Sequence, residues 1–193
     1  MSNVIEIVDL KKRFGSGENE AIIYDGANLN IEKGSFVSLT GPSGSGKSTL
    51  LYLIGGLDRD FTGAIRIGGK NISGMSDSEL SEIRSFKLSY VFQFYNLVAN
   101  LTVEENILLP IELSGGQQQR CSIARAVLTE PEILLADEAT GNLDRSSGEE
   151  IMKLFKRLNE EKGITILQVT HSPECAAYGS RIVRLSDHKL VEA

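Results

Sequence analysis

A chain of 193 residues, 41% hydrophobic and 24% charged, is long enough to bury a core without disulfide or metal staples, and its composition excludes a disordered polymer. Its formal charge of −6 argues against unspecific binding to DNA or RNA, because phosphate backbones require a basic face. The apolar stretches Ile22-Ile23 and 107–113 are broken by charges or by Pro110, well short of the roughly 18 residues a membrane span needs. Direct membrane insertion is therefore not expected, and any membrane contact is expected to run through a partner. The start, Met1-Ser2-Asn3-Val4-Ile5-Glu6, lacks a basic region followed by an apolar run, so a cytoplasmic address is expected. Cys121 and Cys175 lie far apart in no CxxC pairing and read as reduced structural thiols.

In chain order, residues 4–10 and 36–40 have the apolar or alternating pattern of strands, with glycine-rich turns around them. Phe36–Thr40 runs into Gly41-Pro42-Ser43-Gly44-Ser45-Gly46-Lys47-Ser48-Thr49, and then into the helical apolar series Leu50, Leu51, Leu53, Ile54, Leu57. A strand and turn are predicted over 64–70. A helix is predicted over 77–84, started by Ser76 with Glu79 three residues on in a capping-box pattern. Next come a short β-rich segment at 88–92, a helix at 117–128, a buried strand at 133–136, an amphipathic helix at 147–161 and another buried strand at 165–170. Strands alternating with helices, several apolar on both faces, predict an α/β fold with a mainly parallel sheet covered on both sides, preceded by a β region. No repeat, low-complexity tract or linker interrupts residues 1–193, so a single domain is expected.

Two motifs carry the chemistry of a nucleotide site. Gly41-x-x-x-x-Gly46-Lys47-Ser48, lying between a strand and a helix, matches a phosphate-binding loop. Glycines let successive N–H groups point into one concavity at a helix N-terminus, where Ser43, Gly44, Ser45, Gly46 and Thr49 surround phosphate oxygens. Lys47 adds a cation at the β- and γ-phosphates and Ser48 a hydroxyl for Mg²⁺. Further on, the apolar strand Ile133–Ala136 ends in Asp137-Glu138, two carboxylates aimed at the crevice beyond the strand ends. Asp137 is placed to hold Mg²⁺ and Glu138 to orient or deprotonate the attacking water. Alone, a strand ending in two acids reads as a turn; beside the glycine loop it reads as catalytic.

These elements suit any P-loop ATPase or GTPase. Leu113-Ser114-Gly115-Gly116-Gln117 followed by Gln118-Gln119-Arg120 narrows the choice, for here the chain resembles the ATP-binding cassette (ABC) transporter family, whose signature is LSGGQ before a helix. Physically, Ser114 and the Gly115 and Gly116 backbone amides at a helix start make a second anion site, to which the resemblance adds Gln117. The resemblance implies that this site closes on ATP held by the glycine loop of another subunit, so that a dimer sandwiches two ATP molecules. It also implies that Phe14 stacks on adenine, that Gln93 reaches Mg²⁺ and water, that Asn142-Leu143-Asp144 crosses the dimer interface, and that His171 bonds the γ-phosphate. The segments 80–84, 90–97, 101–106 and 141–144 resemble ATPases of the macrolide-exporter and lipoprotein-releasing group. That resemblance implies a membrane permease as partner and ATP-driven closure working as mechanotransmission. The alternative is a regulatory or scaffolding ATPase of a membrane complex without transport.

The chain departs from the family pattern twice. Only Glu112 separates Pro110-Ile111 from Leu113-Ser114, where the family carries a helical subdomain longer by a couple of dozen residues. A natural deletion, a deliberate truncation and residues missing from the written sequence would each produce this, and the intact motifs on both sides favour the last two. Ala139 follows Glu138 where the family usually has proline, which predicts a looser turn around an unaltered base.

Overall fold

The computed structural model describes residues 2–93 and 115–193. The long first strand β1 (Asn3–Phe14) pairs antiparallel with β2 (Ala21–Glu32) and β4 (Thr62–Ile67), and the two-residue β5 (Lys70–Asn71) closes that sheet. This is the expected N-terminal β region, carried well beyond residue 10. The reason is a set of bulges: Asp9 and Gly26 both take positive φ (49° and 74°), and the register shifts between Ile7 and Leu10. Bulges let a long strand twist without breaking its ladder. Asp25-Gly26 reads as a turn in the sequence, and that is why β2 is not legible there.

The second sheet has the order β10-β9-β3-β8-β7-β6, formed by β3 (Phe36–Thr40), β6 (Leu88–Val91), β7 (Ile133–Asp137), β8 (Thr165–Val169), β9 (Arg181–Ser186) and β10 (Lys189–Glu192). All its pairs are parallel except β9 with β10. All residues of β7 and β8 are buried, as strands covered on both faces require. The two-residue period of the strand sorts their side chains. Ile133, Leu135, Leu167 and Val169 join α1 (Lys47–Ile54) and the antiparallel sheet in one core. Leu134, Ala136 and Ile166 join Ile123 of α3 (Gly115–Val127) and Ile151, Met152 and Phe155 of α4 (Arg145–Lys162) in the other.

The helix starts follow the predicted chemistry. In α2 (Asp77–Phe86) both bonds of the capping box form, Glu79 N–H donating to Ser76 Oγ and Ser76 N–H to the Glu79 carboxylate. Asp144 caps α4, and Gly163 ends it in the left-handed conformation. The hairpin β9–β10 and the short α5 (Pro173–Ala176) are additions to the expected elements. The hairpin turns on Asp187 and His188, both at positive φ, without the glycine that normally announces such a turn.

Candidate active site

Four of the chemically marked segments lie at the carboxyl ends of parallel strands. The glycine loop follows β3, Gln93 lies just beyond β6, Asp137-Glu138 end β7, and His171 follows β8. With β8 on one side of β3 and β9 on the other, the loop opens into the crevice where sheets of this kind hold ligands.

Gly41, Gly44 and Gly46 adopt φ of 148°, 73° and 105°, positive values that glycine takes without a Cβ clash. Gly46 is the position where only glycine fits. A Cβ there would lie 2.2 Å from Ile23 Cγ2, and the Gly46 carbonyl accepts bonds from both Tyr24 OH (2.8 Å) and Leu50 N–H (3.1 Å). Tyr24 is fully buried, and burial pushes its hydroxyl well above the ordinary tyrosine range. Sequence reasoning missed this strut; the signal for it was an aromatic hydroxyl on an inward strand position, which must find a partner. Lys47, 5% exposed, donates to the carbonyls of Gly41 (3.0 Å) and Pro42 (2.7 Å), so its ammonium lies across the loop. Ser45 Oγ is buried without a hydrogen-bond partner. An orphaned hydroxyl in a glycine loop at a helix start fits a site built for phosphate oxygens.

At the end of β7, Ser48 Oγ donates to Asp137 Oδ1 (2.8 Å). Asp137 is buried; desolvation raises its carboxyl above the ordinary value, opposed by the Ser48 hydrogen bond, raised further by Glu138 and lowered by Lys47. A hydroxyl and a buried carboxylate form an all-oxygen donor pair of the sort Mg²⁺ takes when substrate phosphates complete its shell. No group of three or more His, Cys, Asp or Glu suited to a metal occurs among the described residues. Because the fold raises this carboxyl's pKa, the folded protein holds the proton more tightly than the unfolded chain does, and stability falls as pH rises through that range. In nucleotide- and metal-free protein, Asp137→Asn is therefore expected to raise the thermal midpoint at pH 7. The gap should narrow as pH falls toward the ordinary carboxylate range, while Mg²⁺-dependent hydrolysis is lost. A lower midpoint at pH 7, measured by calorimetry, would contradict this.

Glu138 takes φ of 44°, unusual for a side-chain-bearing residue and characteristic of functional turns. The turn is held on both sides, Glu138 N–H donating to Val169 O (3.0 Å) and Gly141 N–H to Glu138 O (2.8 Å), with Ala139 buried. The turn is thus closed with alanine where the family usually has proline. Glu138 Oε2 lies 3.1 Å from His171 Nδ1. A Cβ on Gly141 would lie 3.2 Å from Gln93 Nε2 and 3.4 Å from Glu138 Oε2, so Gln93 and Glu138 converge on this glycine. Asn142 Nδ2 donates to Gln93 O (3.2 Å). Asp144 accepts from Ser147 N–H (3.0 Å), and the Ser147 hydroxyl, then its N–H, hold this carboxyl below its ordinary range.

Phe14 ends β1, 45% exposed, opposite Ala21 of the strand that carries Ile23 and Tyr24 to the loop. Gly116 and Gln117 open α3. Ser114 lies outside the described residues. Beside Glu138 and His171, a cavity of about 500 Å³ reaches Asp144, Met152 and Tyr178.

The ABC transporter family profile matches residues 24–112 and 106–141. The chain belongs to the ABC transporter family. It is an ATP-binding, ATP-hydrolysing cassette of the type found in lipoprotein-releasing and macrolide-export systems. It is 37% identical to the lipoprotein-releasing system ATP-binding protein LolD of Geobacter metallireducens, covering 99% of both chains. It is 40% identical to the macrolide export ATP-binding/permease protein MacB of Mannheimia succiniciproducens, covering 98% of this chain and 34% of MacB. This ABC cassette therefore spans nearly all of LolD and about a third of MacB. Among solved structures, the dimeric post-hydrolysis state of the ATP-binding cassette MJ0796 bound to ADP and Pi superposes with a TM-score of 0.88 at 39% identity over 96% of each chain. MJ0796 is a protein of Methanocaldococcus jannaschii.

The comparisons also locate the chain's departure from its family. The family match comes in two stretches that overlap at 106–112. The alignment with LolD runs over 223 positions against a chain of 193, leaving at least 30 with no counterpart here. The two stretches meet over 106–112, directly before the signature. No described helix is long and apolar enough to cross a membrane.

Proposed function

We propose that this cassette powers a membrane permease from the inner face of the cell membrane, using two ATP sites that are each completed by two chains. The observation that carries the proposal is the convergence of Lys47, Ser48, Asp137, Glu138, Gln93 and His171 at the ends of adjacent parallel strands. The LSGGQ segment at the start of α3 belongs to the same chain. One glycine loop suffices for one triphosphate, so a second helix-start anion site in the chain is explained by ATP held on another subunit.

In this reading Phe14 stacks on the base, and residues 41–49 bind the phosphates, with Lys47 moving from the Gly41 and Pro42 carbonyls to the β- and γ-oxygens. Ser48, Asp137 and Gln93 are the residues that would hold Mg²⁺, which would supply positive charge to offset that of the phosphates. Glu138 accepts a hydrogen bond from the attacking water and takes its proton as the water oxygen bonds to the γ-phosphorus and the bond to the ADP oxygen breaks. His171, held by Glu138, donates to the γ-phosphate. Ser114, Gly116 and Gln117 of the second chain close over the same phosphate, and Asp144 lies at the chain–chain boundary. Most of the rate gain then comes from positioned charge around the phosphoryl group. Closing and opening of the pair transmits force to the permease, and similarity to LolD and MacB supports an export or lipoprotein-release setting.

Mixing two inactive variants tests the composite site. Lys47→Ala loses the loop half and Ser114→Arg the signature half, yet a mixed pair contains one intact site. ATPase activity should reappear on mixing, to roughly a quarter of the parent rate for random pairing of independent sites, whereas sites within one chain would leave the mixture inactive.

A further inference from the structure

We infer that Lys12 is a positioning residue for the nucleobase: a buried cation, held by Asp58 and Asp60, that holds and polarises the Phe14 ring on which the base stacks. This rests on the reading of Phe14 given above.

Lys12 and Phe14 stand two residues apart on β1, hence on the same face of the strand. The Lys12 side chain is 2% exposed, and its ammonium lies 4.6 Å from the centre of the Phe14 ring. That cation cannot wander. It donates to Asp60 O (2.6 Å), Asp58 Oδ2 (3.0 Å) and Asp60 Oδ2 (3.2 Å). Asp58 is in turn tied to the end of α1, its N–H donating to Tyr52 O (3.2 Å). A connected path therefore runs from the exposed ring through Lys12 and Asp58 to the helix whose first residue is Lys47.

Two physical effects follow. A phenylalanine at a strand end, 45% exposed, would otherwise lose rotamer freedom when a base binds; a fixed ammonium against the ring orders it beforehand. The ammonium also draws ring electron density toward itself, which relieves repulsion between the free face and an electron-rich purine. Because the cluster is anchored to α1, it also sets the distance between the base platform and the phosphate loop. Recognition of this kind reads the face of the base and leaves its edge unread.

The test compares ADP with inorganic pyrophosphate, which shares the diphosphate and lacks the base. Lys12→Met is made in an Asp58→Asn background, so that the half-buried Asp58 carboxylate does not lose its partner while Asp60 stays solvated, and is compared with Asp58→Asn alone by titration calorimetry. ADP affinity is expected to fall about three- to fivefold with pyrophosphate affinity unchanged, and the ADP effect should vanish when Phe14→Ala is added. Unchanged ADP affinity would overturn the inference, as would equal losses for ADP and pyrophosphate, which mark a purely structural role. If Phe14→Ala by itself leaves ADP binding intact, the stacking assignment fails and the role of Lys12 with it. If Phe14→Ala weakens ADP while Lys12→Met does not, only the Lys12 inference fails.

Discussion

Glu138→Gln is expected to lower ATP turnover by about a hundredfold or more while ATP affinity stays within about threefold of the parent. The amide keeps the shape of the side chain and can still bond His171 Nδ1, which lies 3.1 Å from Glu138 Oε2. It cannot take a proton from water. The groups proposed to grip the triphosphate belong to residues 41–49 and are untouched. Removing a negative charge beside the buried Asp137 carboxylate, which Glu138 now pushes upward, also favours binding of an anionic nucleotide. Steady-state phosphate release and equilibrium nucleotide binding separate the two quantities. A turnover number within about twofold of the parent would remove Glu138 from the chemical step, since a general base is worth far more than that.

Gly46→Ala is the second large effect, and it acts through the backbone. Gly46 sits at φ of 105°, and an added Cβ would lie 2.2 Å from Ile23 Cγ2. Strain of order 1–3 kcal/mol from the dihedral adds to the cost of moving Ile23 and with it the Tyr24 bond to the Gly46 carbonyl. The substitution is expected to cost about 2 kcal/mol or more of stability and to weaken ATP binding at least tenfold, because the residue next to Lys47 shifts. Adding Ile23→Ala separates the two causes. It should recover stability by relieving the clash and leave ATP binding impaired, because the dihedral remains wrong. A single variant with parental melting and parental ATP affinity would show that the loop tolerates a side chain at this point.

The parts of the candidate site were largely legible in the sequence because each is local. A glycine loop between strand and helix, two acids ending an apolar strand, and a histidine after the next buried strand each declare themselves within about ten residues. Their convergence follows once the strands are parallel and neighbouring. What escaped notice is what local patterns do not encode. The strand β2 was hidden because Asp25-Gly26 imitates a turn, whereas Gly26 in fact forms a bulge opposite β1. The β9–β10 hairpin was hidden because Asp187 and His188 make the tight turn without glycine. Tyr24, which props up Gly46, and Gly141, on which Gln93 and Glu138 converge, act through contacts between segments distant in sequence. Lys12 belongs with them, since nothing in Lys11-Lys12-Arg13 marks the middle lysine as the buried one.

The most direct test of the central claim, that two chains complete each ATP site, is sedimentation of the Glu138→Gln protein with and without MgATP. Monomers are expected in the absence of nucleotide and with ADP, and a stable dimer holding two ATP molecules when MgATP is present. A protein that binds ATP yet sediments as a monomer at every ATP concentration would contradict that claim.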